Sequence, residues 1–111
     1  MIYEAAVLAQ ADLGDEKLAT IKSIVSNLVQ EYKGEILVND DWGVRTFAQP
    51  LARGRKKGHY LYFMYKSDTN MNLELDRRLG ISEDIFRSLI VKLGNDDDQA
   101  TLVKDYKSPF A

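Results

Sequence analysis

Two stretches with helical spacing, each set between strand-like runs, constrain this chain more than any other feature. Leu18, Ile21, Val25, Leu28 and Tyr32 recur at intervals of three and four, and Met71, Leu75 and Leu79 lie four apart. That spacing lines one side of an α-helix with apolar groups. In the first stretch Lys22, Ser26, Asn27, Gln30 and Glu31 take the wet side. Asp15 is placed to cap its start and Gly34 to end it. In the second, Asp68-Thr69-Asn70 offers a start and Gly80 a stop.

The runs around them read as strands. Ile2 to Ala9 is short and almost wholly apolar, as expected of a strand covered on most of both faces. Glu35 to Ala48 is strand-like but broken by Asn39-Asp40-Asp41 and Gly43, which predicts a bulge or bend near Trp42. Gln49 to Gly58 holds Pro50, Gly54 and four cations and loops into an aromatic strand, His59 to Lys66. Ile85 to Leu93, rich in branched residues, is the last strand. Strand, helix, strand, strand, helix, strand is the split βαβ plan of ferredoxin-like α+β domains (βαββαβ). It predicts a four-stranded antiparallel sheet with both helices on one face, formed by residues 1–93. Residues 94–111, GNDDDQATLVKDYKSPFA, lack apolar periodicity and open with three aspartates. They read as an acidic tail, mobile unless a partner orders it.

Composition removes several kinds of chemistry. The 111 residues hold no cysteine and one histidine, His59, so disulfides, thiolate nucleophiles and zinc sites are not expected. Ser67 and Asp68 stand too close to His59 along the chain to suggest a triad, which normally assembles from distant segments, and Gly54-Arg55-Lys56-Lys57-Gly58 lacks the spacing of a phosphate loop. Asp96-Asp97-Asp98 lacks the spaced ligands of a calcium loop. The reading is of no enzyme, no metal, no cofactor and no small-molecule substrate. No apolar run approaches the roughly 18 residues that span a bilayer, and no basic leader is present. No membrane association is expected, and the protein is predicted to be cytoplasmic.

The net charge of −2 hides a segregation. Residues 1–41 carry 3 basic and 8 acidic groups, whereas residues 42–67 carry 6 basic groups and no acid. Phosphate responds to a local field rather than to a total. Arg53, Arg55, Lys56 and Lys57 at a loop tip, with Arg45 on the same hairpin, are therefore candidate phosphate contacts.

The aromatic strand adds a second surface. With helices on one face only, it should alternate apolar and polar residues. Instead Leu61, Phe63 and Tyr65 point one way and Tyr60, Tyr62 and Met64 the other. Large apolar groups on an open face mark a macromolecular contact, or else tyrosines with wet hydroxyls. RNA-recognition motifs stack bases on aromatics of this strand, but the two stacking positions here are His59 and Leu61. A protein docking at Trp42, Val44, Tyr60 and Tyr62 is the better inference. The alternative is a homo-oligomeric regulatory or small-ligand-binding ferredoxin-like domain, whose open face would pair with its own copy.

Four segments carry a resemblance: Tyr3-Glu4, Trp42-Gly43-Val44-Arg45-Thr46-Phe47-Ala48-Gln49-Pro50-Leu51, Lys57-Gly58-His59-Tyr60, and Ile85 to Lys92. In this order and spacing, over residues 1 to about 93, the chain resembles the bacterial small-subunit ribosomal protein six family. Gly43, Arg45 and Ala48 match the family's second-strand pattern, whereas Phe47, Gln49 and Leu51 depart from it, Gln49 standing where the family has tyrosine. The resemblance implies a non-enzymatic component of the small ribosomal subunit that pairs with ribosomal protein eighteen. That pair binds the central domain of small-subunit rRNA. The family's basic positions on the second and fourth strands correspond to Arg45 and Arg87. The loop cations are assigned by charge alone, and whether the ribosome is bacterial or organellar is left open.

Overall fold

The computed structural model describes residues 1–46 and 56–109. Four strands, β1 (Ile2–Gln10), β2 (Glu35–Thr46), β3 (Lys57–Lys66) and β4 (Ile85–Gly94), form an antiparallel sheet in the order β2-β3-β1-β4. Helices α1 (Asp15–Glu31) and α2 (Thr69–Gly80) pack on one face. This is the predicted ferredoxin-like plan, with β3 beginning two residues earlier than the sequence suggested.

The main core lies between helices and sheet. Tyr3, Ala5, Val7 and Ala9 of β1 and Leu61, Phe63 and Tyr65 of β3 meet the apolar stripes of α1 and α2. Alternation along both strands puts these odd-numbered residues on one face. The helix-spaced leucines and Met71 are buried as expected.

The helix ends follow different chemistry. Asp68 caps α2 by accepting from the Met71 N–H at 2.9 Å. The N-cap of α1, by contrast, is Gly14, with no side-chain hydrogen bond, and Asp15 is the first helical residue. There its carboxylate acts on the positive end of the helix rather than as a cap. Beyond α1, Lys33 rather than Gly34 takes the left-handed conformation, with φ of 60°. Gly34 is required for another reason: a Cβ there would collide with the Lys66 carbonyl oxygen.

The predicted bulge is present. The pairing of β2 with β3 slips between Asp41 and Gly43, so Trp42 is the extra residue, and Gly43 takes φ of 77°. Residues 47–55, which hold the end of the expected second strand and most of the cationic loop, lie outside the described residues.

The largest departure is at the C-terminal end. Where the sequence offered no regular element, Asp96–Asp98 form a 3₁₀ turn and Gln99–Asp105 a short helix, α3. The turn is tied by the Asn95 N–H donating to Asp98 Oδ2 at 2.9 Å. Asp96 lies 3.8 Å from Lys66 Nζ. From the β4 edge, this segment runs to the middle of β2, across the face that carries no α1 or α2.

Candidate functional site

Register fixes what the helix-free face displays. On it Val38 stands opposite Met64, Asp40 opposite Tyr62 and Gly43 opposite Tyr60 on β3. Glu4 and Leu8 of β1 lie beside Met64 and Tyr60, and on the far side of β1 Val91 and Arg87 of β4 pair with these same two residues. One row of the sheet therefore reads Gly43, Tyr60, Leu8, Arg87, and the next, towards the loop end, has Arg45 opposite Gly58 and Gly58 opposite Gln10.

The aromatic half of this face is not open. Ile2, Tyr62 and Met64 are buried beneath Leu37, Val38, Trp42, Leu93, Leu102 and Tyr106. The Trp42 and Tyr62 rings stack with centroids 5.0 Å apart, and Tyr106 stacks on Tyr62 at 4.8 Å. Trp42 Nε1–H donates to the Tyr106 hydroxyl at 2.9 Å, and that hydroxyl donates to Asp40 Oδ2 at 2.6 Å. Burial and the Asp40 carboxylate push the Tyr106 phenol up to about 12. Tyr62 donates to Glu4 Oε2 at 2.6 Å, and burial, reinforced by Glu4, pushes its phenol above the ordinary tyrosine value. Tyr62 is only 4% exposed, so it does not offer itself to a partner as the sequence reading supposed. Leu89, by contrast, remains 61% exposed on the β4 half.

The expected contact residues do not share one face. Trp42, Tyr60 and Tyr62 lie together, with Trp42 and Tyr60 centroids 6.3 Å apart. Val44 is exposed but stands opposite His59, on the side of the sheet that carries α1. There His59 Nε2–H donates to Asp41 Oδ1 at 2.6 Å, and Lys22 of α1 reaches Asp41 Oδ2 at 3.7 Å. Burial pushes the Asp41 carboxyl up, but His59, the Gly43 amide and Lys22 outweigh it and hold it below the ordinary value.

Arg45, Lys56, Lys57 and Arg87 belong to the same end of the sheet, away from the start of the C-terminal segment, with Arg45 and Arg87 on its two edge strands and Lys57 turned to the helix side. Lys56, Lys57 and Arg87 are exposed. Arg45 is half-buried and its Nε–H donates to the Trp42 carbonyl at 2.9 Å, which holds the guanidinium against the bulge. Lys56 and Lys57 also edge a groove of about 370 Å³ with Gln10, Ala11, Asp12 and Phe86. Arg53 and Arg55 lie outside the described residues. Among the described residues no group of three or more acidic or histidine side chains converges on a metal position. No helix of the described residues is long and apolar enough to cross a membrane.

Four residues of this surface escaped the sequence reading: Glu4, Asp40, Leu102 and Tyr106. The signal for the last two was present, since an aliphatic and an aromatic residue four apart in Leu102-Val103-Lys104-Asp105-Tyr106 fall on one side of a helical turn. Asp40 looks like a strand-breaking residue in the sequence. A slip in the β2–β3 pairing between Ile36 and Val38 sets it opposite Tyr62 on the helix-free face.

Comparison with known proteins agrees with this architecture. The family model described as Ribosomal protein S6 matches residues 2–92. The small ribosomal subunit protein bS6 of Geobacter metallireducens is 34% identical over 91 residues, covering 82% of this chain and 76% of that protein. The same protein of Geotalea daltonii is 33% identical over 102 residues, covering 92% and 79%. The crystal structure of 30S ribosomal protein S6 from Thermotoga maritima superposes with a TM-score of 0.76 at 21% identity, over 93% of this chain and 94% of that one. At that identity the likeness speaks to the fold alone.

Proposed function

The chain belongs to the Ribosomal protein S6 family, a family of structural proteins of the bacterial small ribosomal subunit rather than of enzymes, and from that premise we propose that it binds the central domain of small-subunit rRNA jointly with ribosomal protein eighteen. The observation that carries the reading is the gathering of Arg45, Lys56, Lys57 and Arg87 at one end of the sheet. Phosphate contacts hold a protein in register on RNA, and their number sets the salt dependence of binding. In this reading Arg45 and Arg87, at the family's basic positions, meet the backbone from the sheet. Arg53, Arg55, Lys56 and Lys57 meet it from the loop.

The partner protein takes the neighbouring aromatic surface at Trp42 and Tyr60, above the buried Tyr62, with Val44 touching it around the β2 edge. A net charge of −2 makes this chain a weak RNA ligand alone, so a basic partner that adds cations while covering apolar surface turns it into a competent one. Residues 1–93 act as the folded platform and residues 94–111 as an accessory acidic segment. Assembly takes place in the cytoplasm. Copurification with small ribosomal subunits and with ribosomal protein eighteen tests the assignment. A tagged chain that fractionates away from ribosomes would overturn it.

A further inference from the structure

The aromatic half of the helix-free face has a resident occupant, and the occupant leaves part of that face unsatisfied. Residues 95–109 rest on it through two side chains, Leu102 and Tyr106, while Asp96 at their start meets the Met1 ammonium at 2.6 Å and Lys66 Nζ at 3.8 Å. Neither α3 nor the 3₁₀ turn has a buried residue of its own. Beneath them lie the carboxylates of Glu4 and Asp40. Each accepts a hydrogen bond from a phenol, and among the described residues neither meets a cation within 4 Å. A carboxylate at an apolar surface is best matched by Lys or Arg, and the phenols supply only neutral donors. The segment thus satisfies the shape of the face and not its charge.

We propose that residues 95–109 are a displaceable strap, an intramolecular stand-in that a cationic segment of the protein partner expels from the Trp42–Tyr62–Met64 surface, placing Lys or Arg beside Asp40 and Glu4. The proposal rests on the reading above that a basic protein docks on this face, and it adds that docking is held in check by the chain's own C-terminal segment. The weakness of its anchoring supports release in preference to permanent packing. The strap has two apolar anchoring side chains, Leu102 and Tyr106, both partly exposed, and the ion pair of Asp96 with the Met1 ammonium is exposed. Segments with few buried apolar contacts open at low cost. The charge of the displaced site is complementary to a basic polypeptide and not to RNA, so the occupant is a protein.

Calorimetric titration of ribosomal protein eighteen into the full-length protein tests this. The double variant Leu102→Ala/Tyr106→Ala removes both anchors and leaves every sheet residue in place. It is expected to bind on the order of tenfold more tightly than the unaltered chain, because apparent affinity is reduced by the fraction of molecules closed to the partner. Tyr106→Phe, which keeps the ring stack but loses the bond to Asp40, is expected to fall between. Adding Asp40→Asn to the double variant is expected to weaken binding on the order of tenfold. Circular dichroism matching the unaltered chain confirms that each variant is folded. Equal or weaker binding by the double variant would overturn the strap as competitor, and an unchanged affinity on adding Asp40→Asn would overturn the cationic docking. Absence of binding to every form would instead overturn the partner reading itself, and the strap proposal with it.

Discussion

Tyr106 lies flat on Tyr62, 4.8 Å between ring centroids and 19° between planes, with its hydroxyl donating to Asp40. The contact joins residues 44 positions apart and spans the sheet face that a two-helix ferredoxin-like plan leaves bare. The sole tryptophan of the chain, Trp42, hydrogen-bonds the same hydroxyl, so its fluorescence reports whether the strap is docked.

An alkaline release of the strap follows. Docking raises the Tyr106 phenol from an ordinary value of 10.0 to about 12, so the neutral form is the one that docks. The stabilisation is fully present below pH 10, declines as pH rises and is lost above about pH 12. Asp40 of β2, Glu4 of β1 and the phenol of Tyr62 on β3 face the hydroxyl, and Tyr62 is held higher still. A Trp42 emission change is expected between pH 10 and 12, and is expected to vanish in Tyr106→Phe. A transition that persists in that variant would assign it to another group.

Tyr62→Ala and Val44→Ala separate the two faces of the hairpin. Tyr62 is buried at 4% exposure and Val44 is 47% exposed. Loss of the Tyr62 ring is expected to cost about 3 kcal/mol in denaturant unfolding, and loss of the Val44 methyls under about 0.5 kcal/mol. Comparable costs would contradict the assignment of Tyr62 to a second, strap-covered core.

Two glycines respond oppositely to alanine. At Gly34 the added carbon meets the Lys66 backbone, and the change is expected to destabilise by about 2 kcal/mol or more. At Gly80, the last residue of α2, nothing lies within 4 Å of the added carbon, and alanine is expected to stabilise by about 0.5 kcal/mol. Thermal unfolding of both variants decides the matter.

The fold was legible because its signals are local and mutually consistent: leucines at helical spacing, an apolar first strand, and Gly43 beside a run of acids where β2 bulges. Both faces of β3 were read from alternation alone. What stayed hidden depends on tertiary placement. Gly34 looks like a helix stop, but its necessity arises from the Lys66 carbonyl, 32 residues away. Val44 and Tyr60 look like neighbours on one hairpin, yet the slip at Trp42 sends them to opposite faces. Asp96-Asp97-Asp98 suggests a solvated acidic tail, whereas Asp98 closes a turn that aims Leu102 and Tyr106 at the sheet. A short helix with only two anchors gives too weak a periodicity to stand out.

The cations at the loop end of the sheet are tested by salt dependence. Replacing Lys56, Lys57 and Arg87 with Ala is expected to lower the rRNA affinity of the complex. Each lost phosphate contact is expected to reduce the log-log salt slope by roughly 0.7 to 0.9. Stability is expected to change little, since all three side chains are exposed. A fall in affinity with an unchanged slope would remove these residues from direct phosphate contact.

Joint recognition of rRNA is tested most directly by titrating labelled central-domain rRNA at physiological salt with this protein, with ribosomal protein eighteen, and with both together. Weak binding is expected from this chain alone, and binding by the pair at least about tenfold tighter than by either protein, one extra contact set of some 1.4 kcal/mol. Binding by this chain alone as tight as by the pair would contradict joint recognition, as would a pair that binds no better than its basic member.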